Sequence, residues 1–236
     1  MIGIILAAGR GRRLMPLTEN IPKPMVNLKN RPMIYYTIQQ LLGTVDSVVV
    51  VGGYRADVLR RYIESNYMDF IFRENKDYGE GNITSIAVVR DIIEKSDGFI
   101  LMNSDHIYPP GFISLVVKQA DYVSAVCDRG RSLGSDDMKV TAEGTRLISI
   151  SKRLHSYTHG YIGVTLVKKS GLSDYIASLD LILRKKNWKS YCAEDVLQNM
   201  AAGGKNPLVL DVGRVEWYEI DSPEELRRAE NEAGYI

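Results

Sequence analysis

Ile2-Gly3-Ile4-Ile5-Leu6-Ala7-Ala8-Gly9-Arg10-Gly11-Arg12-Arg13-Leu14 decides the fold, because an apolar, β-branched run breaks at once into a glycine and arginine loop. The run reads as a buried strand, Gly3 to Leu6, after which the chain turns sharply. No basic region precedes it, so it does not read as a signal peptide. Glycines let the backbone bend and approach a ligand closely, while exposed N–H groups and guanidinium forks hold phosphate oxygens. A dinucleotide fingerprint would need a third glycine where Leu14 stands and an acid about 20 residues later. A Walker A loop would need Gly-x-x-x-x-Gly-Lys-Ser/Thr. Neither pattern is there, and the plain alternative is a tight surface turn with solvated arginines.

Outward from this loop, short apolar runs alternate with amphipathic stretches. Strands are expected at Ser47 to Val51, Asp69 to Phe72, Gly98 to Met102 and Tyr122 to Cys127, with helices at Met33 to Leu42, Ala56 to Ser65 and Asn82 to Glu94. That alternation predicts an α/β fold with a mostly parallel sheet flanked by crossover helices. After Arg129, glycines punctuate shorter segments, Met138 to Thr141 and Leu147 to Ser151, which read as antiparallel ribbons forming a small β-rich appended layer. Tyr161 to Val167 returns to strand composition, Leu172 to Leu183 and Ala193 to Ala201 read as helices, and Pro207 to Asp211 and Trp217 to Ile220 as strands. Ser222, Pro223 and Glu225 form a capping box that opens a last helix.

The 236 residues are 45% hydrophobic and 25% charged, which suits one large α/β domain and excludes disordered and fibrous classes. A formal charge of +1 leaves no bulk basic field for nucleic acid. No run approaches the roughly 18 apolar residues of a membrane span, so a cytoplasmic location is expected. Cys127 and Cys192 carry no metal-ligand or CxxC spacing and read as reduced core thiols. The sequence leaves open whether the chain forms a homo-oligomer.

Four further stretches carry chemistry. In Pro22-Lys23-Pro24 two prolines stiffen the backbone around one lysine, and a fixed lysine neutralises charge on a transferring phosphoryl group. Asp105 should leave the carboxyl end of the Gly98 to Met102 strand, where open α/β sheets place ligands, and Asp221 sits just before the last helix. Two such carboxylates suit Mg²⁺, although Asp221 alone reads equally as a capping acid. The loop Glu74 to Ser85 exposes backbone at Gly79 and Gly81, where a base edge finds hydrogen bonds, with Asn82 and Ser85 as side-chain partners. Ile150 to Tyr161 mixes cations, hydroxyls and aromatics, with Lys152 a candidate for an acceptor phosphate and His159 and Tyr161 for its hydroxyl face. Glu194 and Asp195 border this set or simply start a helix.

Together, Leu6-Ala7-Ala8-Gly9-Arg10-Gly11-Arg12-Arg13-Leu14, Pro16-Leu17-Thr18 and Pro22-Lys23-Pro24 resemble the N-terminal signature of the sugar nucleotidyltransferases. The resemblance continues through Asn103-Ser104-Asp105-His106 to Trp217-Tyr218-Glu219-Ile220-Asp221 and covers essentially the whole chain. It implies a Rossmann-like mixed sheet, one domain over residues 1–236, with a nucleotide-binding portion over about 1–128 and an acceptor-binding portion over about 129–236. It implies that Leu6, Ala7, Gly9, Arg10 and Gly11 line the nucleotide, that Glu80, Gly81, Asn82 and Ser85 meet its base, that Arg13 and Lys23 are catalytic, and that Asp105 and Asp221 bind Mg²⁺. Loss of Lys23 is then expected to affect turnover far more than folding. Among these enzymes the motifs look nearest to cytidylyltransferases of small alcohol phosphates, with CTP as donor and inositol 1-phosphate as the expected acceptor, ahead of phosphocholine or a sugar 1-phosphate. A quaternary ammonium would need an aromatic cage, for which Tyr157, Tyr161, Trp188, Trp217 and Tyr218 are available. Gly160-Tyr161-Ile162-Gly163 stands where the inositol enzymes carry an Asp-Thr-Gly pattern. Two rivals rank lower: a regulatory module that binds nucleotide without turnover, and a glycosyltransferase, whose Asp-x-Asp motif is missing.

Overall fold

The computed structural model describes all residues, Met1–Ile236. Thirteen strands and eight α-helices are arranged along the chain as β1 (Ile2–Ala7), β2 (Asn27–Leu28), β3 (Arg31–Pro32), α1 (Met33–Leu41), β4 (Ser47–Gly52), α2 (Ala56–Asn66), β5 (Ile71–Glu74), α3 (Ile83–Ala87), α4 (Arg90–Glu94), β6 (Gly98–Asn103), β7 (His106–Ile107), α5 (Phe112–Gln119), β8 (Val123–Asp128), β9 (Lys139–Glu143), β10 (Arg146–Ser151), β11 (His159–Lys168), α6 (Lys169–Leu183), α7 (Asp195–Ala202), β12 (Leu208–Asp211), β13 (Tyr218–Glu219) and α8 (Pro223–Glu232). Nine strands make one sheet in the order β5-β4-β1-β6-β11-β8-β12-β10-β9. β5, β4, β1 and β6 run parallel, and β11 lies antiparallel between β6 and β8.

The apolar runs explain the layers. Along β1, Ile4 and Leu6 join Val49, Val51, Phe99 and Leu101 on one face, while Ile5 and Ala7 join Val48, Val50, Ile100 and Met102 on the other. Both faces are therefore buried beneath helices, as the near-continuous hydrophobicity of these strands requires. A third cluster, around Leu14, Leu28, Ile107, Ile220 and Leu226, fixes α8 beside the end of the sheet.

Two expectations change. The stretch Asn82 to Glu94 is two helices, because Val89 leaves helical geometry at φ −117° and ψ 6°. β-branched valine loses side-chain freedom in a helix, so paired Val88 and Val89 make a weak point. Strands β9 and β10 form the expected ribbon, but they are not a separate layer. β10 pairs with β12, and β9 pairs with both β10 and β11, which closes β11, β8, β12, β10 and β9 into a ring.

Candidate active site

β1 ends at Ala7, and the loop after it folds over Lys23. Gly11 has φ +69°, and a Cβ there would lie 2.8 Å from Cβ of Lys23, so only glycine lets the loop press so closely. Thr18 Oγ1 donates to the Gly11 carbonyl at 2.8 Å. Lys23 begins a 3-10 turn, Lys23–Met25, and is 6% exposed. Its ammonium reaches both Asp105 Oδ2 and Asp221 Oδ1. Burial pulls the Lys23 pKa down, but the two carboxylates outweigh it and leave the pKa raised. Asp105 shows the counterpart: burial opposes its charge, yet Lys23 and His106 hold its carboxyl well below the usual range.

A two-residue ladder explains how aspartates so far apart in sequence meet. β7 pairs antiparallel with β13, matching His106 with Glu219 and Ile107 with Tyr218, and the Ile220 N–H donates to the Asp105 carbonyl at 3.0 Å. Asp221 is held in turn by its N–H on Glu225 Oε2 at 2.8 Å, beside the Ser222 cap of α8.

A cavity of about 280 Å³ opens on this cluster. Leu6, Gly9, Lys23, Glu80, Asn82, Ser85 and Asp105 all line it, so most of the sequence-derived nucleotide set converges. Arg10 and Gly11 line an adjoining open cleft with Arg12 and Lys76, whose cations can meet phosphate oxygens, and with the carboxylates Asp77 and Glu80, the first of them paired with Lys189 at 2.9 Å. Ala7 is core, packed with Ile5 and Val50 beneath the loop. Gly81 is kept by packing: a Cβ there would lie 2.1 Å from the Tyr191 carbonyl oxygen, and its N–H donates to the Lys189 carbonyl at 2.6 Å. Arg13 does not line the cavity. Its guanidinium bridges Asp221 and Asp136, the latter at 3.2 Å.

A second, smaller cavity of about 130 Å³ shares Asn82 and Asn103 with the first and continues to His106, Lys152, Tyr161, Glu194 and Glu219. Lys152 and Tyr161, expected on the acceptor side, line this one cavity, although the Tyr161 hydroxyl is engaged with Thr165 Oγ1 at 2.8 Å. His159 faces elsewhere: its Nε2 accepts from Arg129 Nε at 2.8 Å and its Nδ1 lies 2.7 Å from Thr158 Oγ1, and burial followed by Arg129 lowers its pKa. It braces the start of β11. Cys127 is a buried free thiol as expected, whereas half-buried Cys192 lines this second cavity.

Three contributors escaped the sequence reading as individuals. Buried Asn75 donates to Thr84 Oγ1 and Ser85 Oγ, both at 2.9 Å, and so shapes the loop under the first cavity. His106 Nδ1 lies 2.7 Å from Asp105 Oδ1 while its ring stacks on Trp217 at 5.2 Å between centroids. Glu219 lies beside this pair, within 4.8 Å as a donor group, and burial raises its pKa. Glu194 lines the second cavity. The sequence marks His106 and Glu219 as members of quoted motifs and Glu194 as a border acid, whereas the role of Asn75 depends on tertiary convergence.

The donors fit a hard divalent cation. Asp105 and Asp221 offer oxygen to one shared point, now taken by an ammonium, and oxygen ligands are what Mg²⁺ selects.

A cleft bearing Arg10, Arg12 and Lys76 and two polar cavities lie beside one lysine and two aspartates, an arrangement that suits a nucleotide-dependent group transferase. The chain belongs to the nucleotidyl transferase family, which it matches over residues 2–129, and is an enzyme of the nucleotidyltransferase type. The CTP:phosphoglutamine cytidylyltransferase of Campylobacter jejuni is 27% identical to it over 96% of this chain and 98% of its own length. Of two longer curated relatives the chain spans 38% and 50%. Among solved structures, the inositol-1-phosphate CTP transferase of T. maritima shares the fold with a TM-score of 0.81 at 24% identity, over 100% of this chain and 97% of that one. The CTP:phosphocholine cytidylyltransferase of Streptococcus pneumoniae has a TM-score of 0.79 at 19% identity, over 98% of each chain. No helix is long and apolar enough to cross a membrane.

Proposed function

We propose that the protein transfers CMP from CTP to the phosphate of a small phosphorylated alcohol, with inositol 1-phosphate the acceptor the sequence motifs favour. An oxygen of the acceptor phosphate attacks the α-phosphorus, the bond from that phosphorus to the bridging oxygen of the β-phosphate breaks, and pyrophosphate leaves with the electron pair. The attacking phosphate is already anionic, so no general base is required and catalysis rests on alignment and charge stabilisation. The observation that carries this reading is Lys23, fixed between Asp105 and Asp221 on the wall of the first cavity, with Asn82 and Asn103 common to both cavities. Lys23 supports charge growing on the α-phosphoryl oxygens, Arg10 and Arg12 the tail, and the loop from Asn75 to Ser85 the base. Asp105 and Asp221 would hold Mg²⁺, which when bound offsets triphosphate charge. CTP as donor is favoured by the likeness to enzymes whose names specify it.

The test is pyrophosphate release across the four nucleoside triphosphates, with and without Mg²⁺, in the presence of inositol 1-phosphate, glucose 1-phosphate and ammonium-bearing phosphates. Mg²⁺-dependent release confined to CTP is expected. Release with another nucleotide in preference moves the donor, and nucleotide binding without release from any pair favours the regulatory module.

A further inference from the structure

His106 ties Asp105 Oδ1 at 2.7 Å while Lys23 holds the other oxygen, so the imidazole decides how Asp105 faces the ammonium. An ionised carboxylate only accepts, which places the proton on Nδ1. One hydrogen bond leaves a ring free to rock about its broad second side-chain torsion, and the imidazole makes no other. Its place is set by contact instead. The Trp217 indole lies nearly parallel to it, with planes 5° and centroids 5.2 Å apart. Trp217 is anchored in turn: its Nε1 donates to Asp128 Oδ2 at 2.9 Å, and the Arg131 guanidinium lies over the indole at 4.6 Å. Arg131 meets the same Asp128 oxygen at 3.1 Å and Asp137 at 3.0 Å, so that guanidinium is fixed as well.

Asp128 ends β8 at 4% exposure, and its Oδ1 is buried without a hydrogen-bond partner, an arrangement that costs stability. The fold makes room for it, because a Cβ at Gly160, its partner across the sheet, would lie 2.8 Å from that oxygen. Neither Asp128 nor Trp217 lines the first or the second cavity. A carboxylate kept at such a cost, away from both cavities, is placed for what its indole partner touches. We propose that Asp128 and Trp217 are positioning residues: Asp128 fixes the indole, the indole fixes the His106 imidazole, and the imidazole fixes Asp105 so that the Lys23 ammonium is held toward the transferring phosphoryl group. The last link rests on the transferase reading, and the placement of His106 does not. The segment Trp217 to Asp221 thus reaches Lys23 twice, directly through Asp221 and at one remove through His106 and Asp105.

The test joins proton NMR to kinetics in the full chain, for the parent, Trp217→Leu, Asp128→Ala, Asp128→Asn, His106→Gln and the double variant Trp217→Leu with His106→Gln. The parent should show one slowly exchanging, far-downfield imidazole N–H that disappears in His106→Gln. Trp217→Leu and Asp128→Ala should lose it, and Asp128→Asn, which keeps an oxygen for the indole N–H, should retain it. Pyrophosphate release is then measured with CTP, Mg²⁺ and the best acceptor among inositol 1-phosphate, glucose 1-phosphate and phosphocholine. We expect kcat about tenfold lower in Trp217→Leu and Asp128→Ala with the KM for CTP held, most of that loss recovered in Asp128→Asn, and a double variant no slower than His106→Gln alone. An N–H signal missing from the parent or surviving in Trp217→Leu, a parent-like kcat, an Asp128→Asn as slow as Asp128→Ala, or losses that multiply in the double variant overturn the assignment and leave CMP transfer standing. Absence of release with every acceptor overturns the transferase reading instead, and the N–H signal then decides alone: its loss in Trp217→Leu supports the placement of His106, and its survival overturns it. If Trp217→Leu fails to fold, Asp128→Ala carries the same comparisons, because it removes the anchor of the indole and leaves the ring.

Discussion

Lys23 has two jobs that the sequence suggested only in part. Pro22-Lys23-Pro24 and the phosphate loop announce a fixed cation, and the residue types at those positions were enough to locate it. Its bond to two aspartates was not legible, because it depends on the pairing of β7 with β13. The consequence narrows the gap expected between the effects of Lys23 loss on turnover and on folding. Lys23→Met leaves Asp105 and Asp221 facing each other without a cation, and breaking a part-buried pair of this kind costs about 3 kcal/mol. We expect chemical denaturation to show that loss, and addition of Asp105→Asn to recover a good part of it, as coupled residues are not additive. Turnover should fall about 10²-fold to 10³-fold in Lys23→Met, since the fixed charge that meets the developing oxyanion is gone. Parent-like stability of Lys23→Met would mean that the aspartates keep apart without it.

Elements were legible where local pattern decides them and not where a neighbour does. The β-branched runs gave β1, β4, β6 and β8 nearly to the residue, and Ser222 with Glu225 gave the start of α8. The apolar periodicity of residues 82–94 hid a break, because Ile83, Ile86, Val89 and Ile93 remain buried on both sides of it. In β11 the decisive feature is a register shift between Tyr161 and Thr165 that turns Gly163 toward His106. Gly163 has φ +78°, and a Cβ there would lie 2.7 Å from the imidazole. Gly160-Tyr161-Ile162-Gly163, a departure from pattern in sequence, is therefore the seat that holds His106 on Asp105. Gly163→Ala should cost about 1 to 3 kcal/mol through the strained backbone and the displaced ring. Because His106 also lines the second cavity, the KM for the acceptor should rise more than that for CTP in steady-state assays. Parallel changes in both constants would assign Gly163 to folding alone.

At the scale of the molecule, the division of labour along the chain does not coincide with a division of the sheet. The sequence reading ends the nucleotide-binding portion near residue 128, and composition alone suggests that the residues beyond it are an addition. In the sheet, however, β11 from the later portion lies between β6 and β8 of the earlier one, and the other neighbour of β8 is β12, also later. Long-range pairing of this kind leaves no mark on local composition, which is why the ring of five strands was not legible. It has a direct thermodynamic consequence. In a fragment of residues 1–128, β8 would have no partner on either edge, and β6 would present an unpaired edge with buried Phe99 and Leu101 uncovered. The core cluster on that face also takes Tyr175, Leu179, Val196 and Leu197 from α6 and α7, which the fragment lacks. We therefore expect residues 1–128 alone to show no cooperative thermal transition and to aggregate, while the full chain melts in one step that CTP with Mg²⁺ shifts upward, because a ligand that binds only the folded state stabilises it. A cooperative melt of the fragment would show instead that β1, β4, β5 and β6 with their helices form an independent unit, and the chain would then be two domains joined through β11.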